Sequence, residues 1–185
     1  MSKEDLKREL GDLIWKMATN LVHGGKVSPV QFMDYTLGAL FYRFISENIT
    51  DYCNRLMTEA GVPDADYLHM NDEMAENARA QMVQAKGFFI LPSQLFRNVA
   101  DSAKDNNELN TTLANNFKAI EQSAIGTSSE NDVKGLFNNF NTNDAGLGST
   151  VAERNSLLAD LLESVRDLNF TTYIEKRTRR VRHLL

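Results

Sequence analysis

Apolar residues recur at intervals of three and four along most of the chain, which is the period of an amphipathic α-helix. The first such stripe runs from Leu6 to Leu21, with charged side chains on the opposite side. Ser28-Pro29 is typical of the N-cap and first turn of a second helix. We predict that this helix is long, from about Pro29 to Glu59, because Gly61 is the first residue after it that is typical of a helix end.

The predicted long helix carries one face that stays apolar over several turns. Arg43, Glu47 and Asn54 lie on the opposite face. Aromatic side chains bury large areas, so three aromatic residues within four positions predict the centre of the hydrophobic core. These three are Phe41, Tyr42 and Phe44, and the predicted face contains Leu37, Phe41, Phe44, Ile45, Ile49, Tyr52 and Leu56.

Shorter periodic stretches predict helices over about 71–86, 96–103, 109–124, 133–140 and 151–168. The run Gly87-Phe88-Phe89-Ile90-Leu91-Pro92 is continuously apolar between a glycine and a proline, which predicts a short buried strand or extended segment. The Asn- and Gly-rich stretch 138–149 predicts a flexible loop. We therefore expect a mainly α fold: a multi-helix domain with one long central helix and at most a short strand or extended segment near 87–92.

The net charge of −5 is unevenly distributed. From Thr171 onward there are five basic side chains and one acidic one, whereas the preceding 170 residues carry 15 basic and 24 acidic groups and a charge of −9. An acidic body repels nucleic acid, which is held mainly through Lys and Arg. The basic tail is compatible either with weak, non-specific contact to nucleic acid or with a solvated end.

Composition also narrows the cellular setting. No apolar run approaches the length needed to span a bilayer, so we expect no membrane association. The single cysteine, Cys53, excludes an intramolecular disulfide and favours a reducing compartment, hence a cytoplasmic protein.

The sequence lacks the common motifs of catalytic and ligand-binding sites. The histidines His23, His69 and His183 do not combine with Cys53 in a metal-ligand spacing. There is no phosphate-binding loop and no G-x-S-x-G nucleophile elbow. A stretch starting at Asn139 begins like a calcium loop but lacks its glycine and glutamate. We predict no catalytic, cofactor-binding or metal-binding residues in this chain.

Three stretches, in this order and spacing, carry a family resemblance: LIWKMA at 13–18, YTLGALFYRFISE at 35–47 and KGFFILPSQLF at 86–96. Together with DVKGLFNNF at 132–140 and LGSTV at 147–151, they resemble the N-terminal domain of HsdM, the modification subunit of type I restriction–modification systems, most closely the type IC branch. The resemblance covers residues 5–168, and we expect its signature positions to be mainly structural. They are Trp15, Leu37, Gly38, Phe41, Tyr42, Phe44, Ile45, Gly87, Phe88, Phe89, Pro92 and Phe96.

The resemblance implies a part in the adenine-N6 methylation of bacterial DNA with S-adenosylmethionine. In that family two modification subunits join a specificity subunit, and a restriction subunit can be added. The N-terminal domain helps the modification subunits to assemble and to close around DNA, so DNA is met through the assembled complex. The family's Asn/Asp-Pro-Pro-Tyr/Phe motif, which holds the flipped base, is absent here, and we expect it beyond residue 185.

Two domain assignments and two functions follow from the sequence. Residues 1–170 are predicted to be the helical N-terminal domain, and residues 171–185 a basic tail that departs from the family pattern. The favoured function is that of a non-catalytic assembly domain of a DNA methyltransferase subunit. The alternative is a free-standing helical interaction or adapter protein without methyltransferase function.

Overall fold

The structure, a computed structural model, describes residues 28–168 and six earlier positions, 8, 11, 12, 14, 15 and 19, all of them helical. Within residues 28–168 there are seven α-helices, three 3₁₀ turns and no β-strand, which confirms the mainly α class. The helices are α1 (Pro29–Glu59), α2 (Asp72–Glu76), α3 (Arg79–Lys86), α4 (Phe96–Asp101), α5 (Leu109–Ser123), α6 (Glu130–Val133) and α7 (Val151–Arg166). The 3₁₀ turns are Tyr67–His69, Pro92–Gln94 and Ala103–Asp105.

The predicted bounds of the long helix are confirmed, and local side chains explain its start. The Ser28 hydroxyl accepts a hydrogen bond from the Gln31 backbone amide at 3.3 Å, and the Gln31 side chain accepts one from the Ser28 backbone amide at 3.2 Å. These two bonds form a capping box. Pro29 occupies the first turn, where its missing N–H costs nothing. At 1.5 Å per residue, the 31 residues of α1 make it about 46 Å long, so it can contact every layer of the domain.

The core lies between α1 and the helices α4, α5 and α7, which pack against one another. At its centre the Phe117 and Phe137 rings stack with centroids 4.0 Å apart. Tyr42 and Phe140 meet Phe117 edge-on, at 5.3 and 5.1 Å. Edge-to-face and stacked pairs are favoured arrangements of aromatic rings, so this cluster aligns α1, α5 and the 134–150 segment.

The helix predicted over 71–86 is broken into α2 and α3. The Asn77 side chain donates to the Glu73 carbonyl at 3.3 Å, which competes with the helical pattern. The turn at 77–78 lets the Arg79 guanidinium lie 4.4 Å from the centroid of the Phe89 ring. A tertiary cation–π contact therefore accompanies the break, which no local signal predicted.

The helix predicted over 133–140 is also wrong, because the helix observed there is α6, which lies earlier and ends at Val133. The backbone of the C-cap residue, Lys134, is extended, and the next amide, that of Gly135, donates to the Glu121 side chain at 3.2 Å. The stretch 138–149 is a loop, and Phe140, Thr142 and Leu147 are buried in it. The Tyr35 hydroxyl donates to the Asn141 carbonyl and the Asp144 carboxylate, at 3.1 and 3.0 Å, which fastens this loop to α1.

Most of the first predicted helix (6–21) and the whole basic tail (171–185) lie outside the described residues. Of the described N-terminal positions, Ile14 is buried and Trp15 is half exposed. None of the described helices is long and apolar enough to cross a bilayer.

Candidate interaction surface on the long helix

The inner face of α1 contains a buried cluster of hydrogen bonds centred on Tyr42. Its hydroxyl donates to the Gln94 carbonyl and accepts from the Asn116 amide at 3.3 Å. Its ring meets Phe96 edge-on at 5.5 Å. Complete burial raises the pKa of Tyr42 well above its ordinary value, so this hydroxyl is a hydrogen-bonding group and not an acid or base near neutral pH.

Residues 88–91 of the predicted apolar run form neither helix nor strand, and side chains from distant elements pair with their backbone polar groups. The Phe89 amide donates to the Ser123 hydroxyl at 2.8 Å, and the Ile90 carbonyl accepts from the Tyr67 hydroxyl at 2.8 Å. Farther on, the Phe96 amide donates to the Ser46 hydroxyl at 3.0 Å. Buried backbone groups must be paired, so this segment needs those hydroxyls in place of a neighbouring strand.

Two signature glycines are explained by close packing. A Cβ at Gly38 would lie 2.5 Å from the Phe140 ring, so only glycine lets this aromatic ring reach α1. Gly87 has a φ of +80° and ends α3 in the left-handed region. A Cβ there would also lie 2.1 Å from the Ser129 hydroxyl.

The signature aromatics of α1 are divided between two faces, which corrects the predicted core. Tyr42 and Ile49 are buried, but Phe41 and Phe44 point outward with 46% and 65% of their surfaces exposed. Leu37 and Ile45 are intermediate in burial. The buried stripe of α1 consists of Phe32, Tyr35, Thr36, Ala39, Tyr42, Ser46, Ile49 and Cys53.

We call the opposite side the outer stripe. Its positions are spaced alternately by four and three residues, which keeps them on one side of a helix. The apolar part carries Phe41 and Phe44 at its centre and the exposed Val30 at one end. The outer stripe consists of Val30, Asp34, Leu37, Phe41, Phe44, Asn48, Asp51 and Arg55.

Arg43, on the flank of α1, holds the end of the last helix. One guanidinium nitrogen donates to the carbonyls of Val165 and Leu168 at 2.6 and 2.7 Å. The other side of the guanidinium pairs with Glu47 at 2.6 Å. The final carbonyls of a helix have no partner within the helix, so Arg43 supplies one from another element. The helical pattern predicted only an outward charge at Arg43, because its partners at the end of α7 lie more than 120 positions away in sequence.

Among the described residues, no three His, Cys, Asp or Glu side chains are arranged to hold a metal ion. Cys53 is buried against the Met82 sulfur at 3.3 Å. A cleft of about 190 Å³ near Arg43 is also lined by Arg97 and Arg166, but Asp101 pairs with both of these arginines. The exposed apolar area of the outer stripe on α1 is therefore the candidate interaction surface.

Four further signature residues lie outside α1: Phe88, Phe89, Pro92 and Phe96. Phe89, Pro92 and Phe96 are buried, and Phe88 is partly buried against the core. Trp15 is 46% exposed, although its neighbour Ile14 is buried. The structure thus brings together the two long signature stretches, at 35–47 and 86–96, through Tyr42 and Ser46.

Comparison with known proteins finds a related sequence and a similar fold. The chain is 40% identical over 159 residues to the type I restriction enzyme MpnII methylase subunit of Mycoplasma pneumoniae, covering 82% of this chain and 29% of that protein. Its fold resembles the crystal structure of the type I restriction-modification system methyltransferase subunit from Streptococcus thermophilus, with a TM-score of 0.68 at 22% identity, over 88% of this chain and 34% of that one. The chain thus spans about a third of the length of either relative. The HsdM N-terminal domain family matches residues 10–165, and the chain belongs to this family.

Proposed function

We propose that this chain acts as the non-catalytic, helical N-terminal domain of the modification subunit of a type I restriction–modification enzyme in the bacterial cytoplasm. The complete enzyme would methylate adenine N6 in DNA with S-adenosylmethionine. Methyl transfer would belong to the remaining two thirds of such a subunit, because the matched methylase and methyltransferase subunits are about three times as long as the matched region.

The role of this domain in the enzyme would be subunit assembly. This proposal rests on the outward position of Phe41 and Phe44, two signature residues of α1. The third signature aromatic residue of this helix, Tyr42, is buried. Aromatic residues are enriched in the cores of protein interfaces, where they bury large areas with little loss of conformational entropy. The partners would be a specificity subunit, a second modification subunit and a restriction subunit.

Contact with DNA would come through the assembled complex. Residues 28–168 contain 20 acidic and 10 basic side chains, a charge of −10. DNA affinity depends on cations that neutralise phosphates, so the isolated domain is expected to bind duplex DNA weakly at physiological salt. Its charge would instead keep the domain from adhering to DNA where no specificity subunit directs it.

A chimaera tests the assembly role. Residues 10–165 of this chain would replace the matching region of the MpnII methylase subunit, and assembly with the other MpnII subunits would be measured by size-exclusion chromatography. We expect assembly and adenine methylation with the native outer stripe and a loss of both with Phe41→Ser and Phe44→Ser together.

The matched control is Ile125→Ser, which removes an equally exposed apolar side chain far from α1 in sequence. A folded chimaera that fails to assemble even with the native outer stripe would contradict the proposal. If assembly is unchanged by the two serine substitutions, the domain would still serve assembly, but not through the outer stripe.

A further inference from the structure

Apolar side chains form a continuous patch along the middle of the outer stripe. Phe41 and Phe44 are exposed at its centre. Leu37, Leu40 and Ile45 each lie four positions from one of these rings, a spacing at which side chains are neighbours on a helix surface. These aliphatic residues are intermediate in burial, so they extend the apolar area around the two rings.

A carboxylate lies at each end of this patch. Asp34 is seven residues before Phe41. Asp51 is seven residues after Phe44, so both carboxylates lie on the side of α1 that carries the rings. Both aspartates are exposed, and neither forms an ion pair with another described residue. At 1.5 Å per residue they are about 26 Å apart along the axis of α1.

The other charged residues of α1 pair with one another. The helix contains four acidic and two basic side chains. Arg43 pairs with Glu47 at 2.6 Å, and Arg55 lies 4.0 Å from Glu59. The two aspartates of the outer stripe are thus the acidic residues of α1 that have no basic partner within the helix. Covering a carboxylate without pairing it costs free energy, so a molecule that binds this face needs positive charge at both ends.

We propose that the outer stripe binds an amphipathic α-helix of another protein chain. The apolar residues of this helix repeat at alternate spacings of three and four, and two basic residues, about 26 Å apart, lie opposite Asp34 and Asp51. Such a chain would be one assembly partner in the proposed function, on which this inference rests.

The spacing of the outer stripe favours a helix over an extended segment as the occupant. Its positions alternate by four and three residues, which is the repeat that keeps two helices in contact by knobs-into-holes packing. One position follows another about every 5.3 Å along α1. An extended strand presents a side chain on one face about every 6.6 Å, so its side chains and those of the outer stripe fall out of register within a few residues.

Charge disfavours a second copy of α1 as the occupant. In an antiparallel pair that stacks Phe41 on Phe44 of the other copy, the equal spacings place Asp34 opposite Asp51 of the other copy. In a parallel pair each aspartate lies opposite its own counterpart. Both arrangements that bring the rings together therefore oppose like charges at each end of the patch, which is unfavourable. A helix with basic residues at these points reverses the sign of both contacts.

The rings and the carboxylates are expected to contribute differently to binding. Buried aromatic residues supply much of the affinity of protein interfaces. An exposed ion pair adds little because water and salt screen it, but opposed like charges exclude wrong partners. Phe41 and Phe44 would therefore determine how tightly a helix binds, and Asp34 and Asp51 would determine which helix binds.

Two synthetic helices of about 24 residues test the proposal on the 185-residue chain. The lysine probe has leucine opposite Leu37, Phe41, Phe44 and Asn48, and lysine opposite the two aspartates. The glutamate probe is identical except for glutamate in place of both lysines. Fluorescence anisotropy measures the affinity of each probe, and two-dimensional NMR identifies the amides that shift. We expect the lysine probe to bind at least about tenfold more tightly and to shift amides on the outer turns of α1.

Variants of the chain separate the effect of the rings from that of the charges. We expect Phe41→Ser with Phe44→Ser to weaken binding of the lysine probe at least about tenfold. Ile125→Ser, which removes an exposed apolar side chain elsewhere, is expected to leave it unchanged. Asp34→Lys with Asp51→Lys is expected to reverse the preference, so that the glutamate probe binds more tightly.

The matched control for the charge reversal is Asp105→Lys with Asp132→Lys. Both aspartates are exposed on other elements, and the two substitutions change the net charge by the same amount. We expect this variant to keep the preference for the lysine probe. If both charge variants reverse the preference equally, net charge alone selects the probe and the proposal is overturned.

The comparison of the two probes uses the unchanged chain, so it remains decisive if a variant does not fold. Equal affinity for both probes, no binding of either, or amide shifts confined to elements other than α1 would each overturn the proposal. Sedimentation equilibrium without a probe tests the second copy. A dimer that is lost with Phe41→Ser and Phe44→Ser would assign the outer stripe to that copy and overturn the proposal.

The chimaera and the probes test different claims. If the chain binds the lysine probe at α1 while the chimaera fails to assemble, the proposed function alone is contradicted. If the chimaera assembles through the outer stripe while the chain does not distinguish the two probes, only the partner chemistry inferred from the aspartates is contradicted.

Discussion

Arg43 on α1 and Leu168, just beyond α7, are joined by a hydrogen bond of 2.7 Å from the guanidinium to the backbone carbonyl. The two residues are 125 positions apart in sequence. The contact ties the longest helix to the end of the domain, and only 15% of the Arg43 side chain is exposed. Its energetic value can therefore be tested by substitution.

Arg43→Met is expected to lower the free energy of unfolding by about 2–3 kcal/mol, because it removes charge-assisted hydrogen bonds to backbone carbonyls at a largely buried position. Arg43→Lys keeps the charge but replaces the planar fork with one compact donor, so we expect about half of that loss. Urea denaturation followed by circular dichroism measures both. If Arg43→Lys lowers the free energy of unfolding as much as Arg43→Met does, the geometry of the guanidinium, and not its charge, stabilises the contact.

A pair of identical substitutions tests the division of the signature aromatics between two faces. Phe96→Ala removes a buried ring and is expected to cost about 3–5 kcal/mol of stability. Phe44→Ala removes an exposed ring and is expected to change stability by less than about 0.5 kcal/mol. Thermal and urea unfolding of the two variants provide the comparison, and similar losses for both would show that Phe44 is internal.

Gly38→Ala is expected to destabilise the domain by about 1–2 kcal/mol. The added methyl group would lie 2.5 Å from the Phe140 ring, which is itself held by Phe117 and Tyr35. Overpacking of this kind costs about 1–3 kcal/mol and outweighs the roughly 1 kcal/mol gained from helix propensity.

Gly11→Ala is the matched control, because Gly11 is also helical and a Cβ there meets no atom within 4 Å. Here only the propensity difference operates, and we expect a small gain of stability, up to about 1 kcal/mol. Chemical denaturation of both variants is the measurement. A gain for Gly38→Ala would mean that the Phe140 ring can move away at little cost.

Burial raises the pKa of the Cys53 thiol from 9.0 to about 11. The unfolded chain then loses this proton before the folded chain does, so the free energy of unfolding falls as the pH rises from 9 to 11. We expect wild type to lose about 2 kcal/mol relative to Cys53→Ala between pH 8 and 10.5. Tyrosines that titrate in the same range are common to both proteins, and parallel stability curves would contradict a buried thiol.

Local signals in the sequence determined where α1 begins and where α3 ends. Ser28, Pro29 and Gln31 define the start of α1 because capping involves neighbouring residues only. The glycine at 87 ends α3 for the same reason. The apolar run at 87–92 was correctly predicted to be buried, because a continuous apolar segment has no polar side to turn to water. The absence of strand-forming alternation likewise indicated the mainly α class.

Tertiary structure decided which side of α1 faces inward. Both the inner and the outer stripe repeat every three to four residues, so the period alone cannot distinguish them, and the aromatic density misdirected the prediction to Phe41 and Phe44. The inner, buried stripe is the one beside Gly38, where the missing Cβ leaves room for the Phe140 ring. Long-range partners also broke the helix at 77–78 and placed Arg43 on the end of α7. Such contacts join residues far apart in sequence, so they depend on the packed arrangement and leave no local pattern from which to read them.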